Sequence, residues 1–316
     1  MTRAWPMLLP LMLAPVAAQE AGPPPLRTTE GPCLVVTGQR DVVIENRVIG
    51  PCGSYGIVVT DSERVTIRNV TLRDTGDIAI YVLGSRDVEV SGNQVGNALS
   101  GIFAQDSTAV RVSCNRLEDM RGPLPRGQFV QFDSVHGGGN AIRCNRGRNR
   151  PGAGHPEDAI SLYKSHGLAD SPIRVERNVI VGGGPSTSGG GIMLGDAGGA
   201  HAVAHRNILV DPGQYGIAVA GGEHMAITEN LILARRQGFT NVGISVWNQY
   251  PTACGDITVR GNSVDWVSRT GAANPFWDAG NCGPVQGIGQ NSFDAALSEA
   301  MAEAPLPDCG CEGGGR

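Results

Sequence analysis

One lysine stands alone in this 316-residue chain. Of the 25 residues that are Lys or Arg, Lys164 is the one lysine. Arginine keeps its proton under any working condition, whereas a desolvated lysine can release it, so a lone lysine among acids is a candidate base. Asp133, Glu157, Asp158 and Asp196 fall near equivalent places in successive sequence repeats, with Tyr163 and Tyr215 among them. Two chemistries suit this set. In the first, carboxylates of Asp133, Glu157, Asp158 and Asp196 hold Ca²⁺ through oxygen ligands. The ion acidifies a proton next to a uronate carboxylate, Lys164 removes it, and Tyr163 or Tyr215 protonates the leaving oxygen. In the second, Asp133 and Asp158 are the acid and base of a glycoside hydrolase, one pKa raised by the crowding of like charges. A non-catalytic sugar-binding solenoid is the third reading, and it predicts scattered rather than convergent groups.

A repeat positions these residues. Strand openings recur as YGIVVTDS (55–62), IAIYVLGS (78–85), SGIFAQDS (100–107), QFVQFDSV (128–135), DAISLYKS (158–165), GGIMLGDA (190–197), YGIAVAGG (215–222) and VGISVWNQ (242–249). Each unit carries an asparagine: Asn46, Asn69, Asn93, Asn115, Asn145, Asn178, Asn207, Asn230 and Asn262, at intervals of 22 to 33 residues. A period in this range with variable insertions means stacked supersecondary units. Within a unit, Ile57 and Val59 alternate with Val58 and Thr60, and Val65 and Ile67 alternate with Thr66 and Arg68. Period-2 alternation in Ile- and Val-rich runs predicts three short strands per unit with one face inward. The asparagine marks a bend, where it tolerates the left-handed conformation and bonds its counterpart one coil away.

Alternation also assigns the outward positions of the first strand. One column reads Val58, Tyr81, Phe103, Gln131, Ser161, Met193, Ala218 and Ser245. The next reads Thr60, Leu83, Gln105, Asp133, Tyr163, Gly195, Ala220 and Trp247. Insertions at Glu118–Gly127, Arg146–Glu157, Val181–Gly189 and Ala234–Asn241 cluster at one corner, and Asn248–Gly255 follows the opposite edge of the strand. Clustered insertions wall a groove. Gln131, Ser161, Asp196, Gln214, Tyr215 and Trp247 are its candidate substrate contacts. Glu157, Asp158 and Asp196 are its candidate metal ligands.

The repeat resembles the right-handed parallel β-helix proteins of the pectin-lyase-like superfamily, over residues 31 to 270. That resemblance implies an all-β, single-stranded parallel β-helix of about nine coils with an asparagine ladder. DAISLYKS also resembles, over a short stretch, the lysine-serine segment of the chondroitinase B and alginate lyase family, which implies a lysine base assisted by calcium. Its acid is an arginine on the following coil, and here Gly195 or Asp196 stands in that place.

Residues 1–18 are expected to be a signal peptide cleaved near Ala18, which predicts a secreted or periplasmic location. A lead-in follows at 19–30, the β-helix at 31–280 and a C-terminal cap and tail at 281–316. Phe293–Ala304 carries a helical period that suits a cap over the open end. A formal charge of −5 with no basic run excludes nucleic acid as the natural partner. No segment after the leader is long and apolar enough to span a membrane. The expected partner is a polysaccharide, an acidic glycan in preference, bound by a monomer. Eight cysteines fit an oxidising compartment. Cys114 and Cys144, in stacked positions, are within disulfide range of each other. Cys33 and Cys52 open the first units, Cys254 and Cys282 tie a loop, and Cys309-Gly310-Cys311 forms a tail bridge or a thiol pair.

Overall fold

The computed structural model describes residues 31–304 and 309–311. The expected signal peptide and the lead-in lie outside these residues. The chain winds as a parallel β-helix with three strands per coil. Ten first strands pair in parallel, from Leu34–Thr37 through Ile57–Thr60, Ile78–Leu83, Ser100–Gln105, Val130–Asp133, Ile160–His166 and onward to Phe276–Asp278. The third strands form their own nine-stranded sheet. Among the described residues, no helix is long and apolar enough to cross a membrane.

Inward side chains stack coil on coil. Ile57, Ile80, Ile102, Val130, Ile160, Ile192, Ile217 and Ile244 are neighbours in register, and all are buried. Each such side chain contributes about 2–3 kcal/mol of apolar burial, a face that a single coil has no means to cover. The outward column is also as alternation predicts. Val58, Tyr81, Phe103, Gln131, Ser161, Met193, Ala218 and Ser245 are successive register partners, and Trp277 extends the column.

The asparagine ladder runs through Asn93, Asn115, Asn145, Asn178, Asn207, Asn230 and Asn262 to Asn291. At each step the backbone N–H and side-chain Nδ2 donate to Oδ1 of the next asparagine, at 2.8–3.0 Å. Asn46 and Asn69 are not rungs. They sit one place earlier, exposed, at left-handed corners (φ 54° and 52°), and Val70 occupies the rung position. In later coils the left-handed residue is likewise the one before the rung, as at Cys114, Cys144, Arg177 and Arg206. Asparagine suits both places, since it tolerates αL and carries an amide.

Cys114 and Cys144 do not bond each other. Each takes one cysteine of the tail, giving Cys114–Cys311 and Cys144–Cys309. Both project outward from equivalent corners of adjacent coils, so a strand laid across them meets one sulfur with each end of Cys-Gly-Cys. Cys33–Cys52 and Cys254–Cys282 close the other pairs. Four disulfides accord with an oxidising compartment.

A 3₁₀ turn at Ile288–Gln290 precedes Phe293–Ala304, in which Glu299–Glu303 forms a second short 3₁₀ turn. Its Ala302 packs on Val179, Val210 and Leu233, on the flank of the third sheet. Arg146 fixes it there by donating to the carbonyls of Ala302 and Ala304, at 2.9 and 2.7 Å.

Candidate functional site

The four corner insertions all connect a third strand to the next first strand, so they rise beside the outward face of the first sheet. Two of them, through Thr187, Ser188 and Asn241, wall a cavity of about 590 Å³ toward the C-terminal coils with Gln249 of the opposite loop, whereas Glu118–Gly127 and Arg146–Glu157 do not line it. Met193, Ala218, Ser245 and Trp277 form its floor, in consecutive register. Trp247 and Trp277 meet edge to face, centroids 6.1 Å apart, and each is 46% exposed. Two large indoles left open to solvent on one floor are unusual enough to ask for a ligand. Gln214, Asn241, Gln249 and Asn274 add side-chain amides, and Thr187 and Ser188 add hydroxyls. No charged side chain lines this cavity among the described residues.

Tyr215 is the wall that joins the cavity to the acids. It is buried, and its hydroxyl donates to Oδ1 of Asp158. The Gly190 N–H donates to the same oxygen at 3.1 Å. Part of Asp158 opens to solvent, but protein surrounds the rest. Burial pushes its carboxyl up to about 7, against the lowering effect of these two donors, and the charges of Asp196 and Glu157 add to the rise. Burial and the neighbouring Asp158 hold the Tyr215 hydroxyl well above the usual phenol range.

A second tyrosine–aspartate pair stands nearby. Tyr250, in the Asn248–Gly255 loop, donates to Oδ1 of Asp196 at 2.8 Å. Burial also raises the Asp196 carboxyl, and Asp133 adds to the effect. Burial and Asp196 push the Tyr250 hydroxyl up to about 12. Asp196 reaches this place through a bulge. The register shifts between Ser161 and Tyr163, so Tyr163 pairs with Asp196 and not with Gly195, which takes a left-handed turn (φ 66°).

The other candidates are dispersed along the face. Asp133 is the register partner of Tyr163, and Gln131 that of Ser161, both one coil earlier. Gln131 and Ser161 are buried. Lys164 occupies the left-handed corner position (φ 48°) shared with Asp106 and Ser134, and its side chain is exposed. Its Nζ lies 4.9 Å from the Tyr163 ring centroid, a cation–π contact. Of the proposed contacts, the cavity gathers Gln214, Tyr215 and Trp247, and leaves out Lys164, Tyr163, Asp133, Gln131 and Ser161.

Glu157, Asp158 and Asp196 do not bring one carboxylate oxygen each within 4.8 Å of one another. Glu157 accepts from the Ser186 and Ser188 hydroxyls at 2.6 and 3.0 Å, while Asp158 and Asp196 accept from tyrosines. Among the described residues, Cys144, Cys309 and Cys311 are the one group whose three ligand atoms lie within 4.8 Å of one another. Those sulfurs are in disulfides.

Trp277 and Tyr250 went unrecognised in the sequence. Trp277 lies beyond the last asparagine repeat, but Phe276-Trp277-Asp278 repeats the in–out pattern of Ile244-Ser245-Val246, its partner strand. Tyr250 sits in an insertion, where no periodicity guides the reading.

The family described as the right-handed β-helix region matches residues 27–264, three quarters of the chain. The protein belongs to that family, and its fold is all-β. No curated protein matches it. Among solved structures it is similar to DFA-IIIase from Arthrobacter chlorophenolicus A6. Without its lid, that structure is 15% identical, with 73% of this chain and 59% of that one covered and a TM-score of 0.45. Without its lid and in complex with GF2, the values are 16%, 75%, 56% and 0.47. In complex with GF2 they are 15%, 77%, 61% and 0.46. This chain spans about three fifths of the length of those structures. The likeness is one of fold.

Proposed function

We propose that this protein cleaves glycosidic bonds in a neutral glycan laid along the first sheet, with Asp158 as general acid. The observation that carries the reading is the position of Tyr215. It lines the cavity and also holds the one carboxyl raised to about 7. A carboxylic acid that keeps its proton near neutrality is what protonation of a glycosidic oxygen needs. Asp196, whose charge is felt at Asp158, is the proposed second carboxylate. Two carboxyls in mutual range lose their protons in separate steps, so one stays protonated while the other carries charge. The exposed indoles offer flat apolar faces for sugar rings, and the amides and hydroxyls offer partners for sugar hydroxyls. An uncharged lining suits a neutral sugar better than a uronate.

β-Elimination on a uronate polymer is the second reading, favoured by one contact. Lys164 and Tyr163 touch each other one coil from both Asp133 and Asp196. Under this reading Lys164 is the base and Tyr163 the acid. The Lys164 side chain is exposed on this face.

One experiment separates these chemistries. The mature protein is incubated with neutral and uronate polysaccharides, and new reducing ends and unsaturated uronate absorbance are both followed. New ends without absorbance support hydrolysis. New ends with absorbance support elimination. Neither, on any polymer, removes both.

A further inference from the structure

The loop that carries Tyr250 encloses a small space bounded by oxygen atoms. Gly221 has no side chain, and a methyl placed there would lie 3.1 Å from Asn248 Oδ1, 3.2 Å from the Gly195 carbonyl oxygen and 3.2 Å from Thr252 Oγ1. Three oxygens, two from the Asn248–Gly255 loop and one from Gly195, thus lie around the side of Gly221 on which a Cβ would project.

Asn248 Oδ1 is buried and has no hydrogen-bond partner. A buried acceptor left unpaired costs on the order of 1–3 kcal/mol, so its presence asks for an occupant. Its orientation is set by the rest of the residue. Nδ2 donates to the Thr252 carbonyl at 2.8 Å, the backbone N–H donates to Asn281 Oδ1 at 2.9 Å, and the backbone carbonyl accepts from Asn281 Nδ2 at 3.0 Å. The amide nitrogen is taken, so the oxygen is the atom left facing the space.

The surrounding charge is mainly negative, with Lys164 one coil away. Asp133, Glu157, Asp158 and Asp196 share this face, and none makes a salt bridge among the described residues. Asp196 directly follows Gly195, one of the three oxygen donors. Uncompensated carboxylates lower the potential here and favour a cation over a second anion or an apolar guest.

We propose that a hard, oxygen-preferring cation of the Ca²⁺ type binds between Asn248 Oδ1, Thr252 Oγ1 and the Gly195 carbonyl, and pins the Asn248–Gly255 loop over Asp196. This site is separate from the acid trio Glu157, Asp158 and Asp196, and does not depend on the proposed reaction. All three protein donors are neutral oxygens, and water completes the shell. Few charged ligands mean weak binding, about 10⁻⁴–10⁻³ M.

The test is thermal melting of the mature protein after chelation, titrated with CaCl₂ against MgCl₂ at matched ionic strength. The expected result is a saturating rise in Tm, roughly 3 °C at ten times Kd. Thr252→Val and Gly221→Ala should each abolish the calcium response. Asn248→Asp, which adds a charged ligand, should tighten it by about tenfold. Thr252 is exposed on a surface loop, so Thr252→Val decides the matter even where Gly221→Ala fails to fold. Absence of a saturable calcium shift in the unaltered protein overturns the proposal. So does a shift that survives Thr252→Val.

Discussion

Tyr215 and Asp158 lie 57 residues apart in sequence, and the phenol of one donates to the carboxyl of the other. The pairing sets a titratable acid directly behind the wall of a sugar-sized cavity. It also gives the acid a donor whose removal is measurable.

Asp158 should make both activity and stability fall as pH rises. Its folded pKa, about 7, lies above its ordinary value of 3.8. The stability it contributes is therefore complete below pH 3.8 and is lost as pH rises through about 7. Thermal melts of the unaltered protein and Asp158→Asn across this window should converge at the acid end and differ in slope, the variant losing less on the way up. Under the hydrolase reading Asp158→Asn lowers kcat by about 10²–10⁴. Full activity in that variant removes Asp158 from the reaction.

Tyr215→Phe should move the alkaline limb of the pH–rate profile to higher pH. The phenol lowers the Asp158 carboxyl, opposing burial, so its loss lets the pKa climb further. A limb that stays in place would show that the profile reports another group.

Trp247→Ala and Trp277→Ala should each weaken oligosaccharide binding by about tenfold, equal to about 1.4 kcal/mol. Both indoles are 46% exposed, so melting temperature should barely change. Calorimetric titration read beside a melt separates lost binding from lost fold.

Ladder and corner asparagines should respond differently. Asn178→Ala strands the two donors of Asn145 and removes the Nδ2 bonds to the Ile142 carbonyl and to Asn207 Oδ1, which keeps the backbone N–H of residue 178. The cost should be about 3 kcal/mol or more. Asn69→Ala, at an exposed left-handed corner, should cost about 1 kcal/mol, the penalty of αL for a residue with a Cβ. Denaturant midpoints compare the two.

The coils were legible because alternation and stacking are local rules repeated many times. The column from Val58 to Ser245 follows from period 2 alone. Asn46 and Asn69 misled because one residue type suits two adjacent positions, a corner and a rung. Asp196 took the column place expected of Gly195 through a bulge at Gly195 that no periodicity announces. The tail pairing of Cys309 and Cys311 depends on where a non-repeating segment lies, which no repeat encodes. Tyr215 was placed on the right face as a residue entering from the corner, but its bond to Asp158 depends on the depth of a side chain within that face.

The double bridge from the tail to Cys114 and Cys144 sets a load path. Tension applied between the two ends of the folded chain passes from the first coils through Cys114 directly to Cys311. The chain from Cys144 to Cys309, a sequence separation of 165, forms a closed loop beside that path. The coils that hold Asp158, Tyr215 and the paired tryptophans therefore lie in slack chain, and a pull on the termini unravels the coils before Cys114 while leaving the cavity intact.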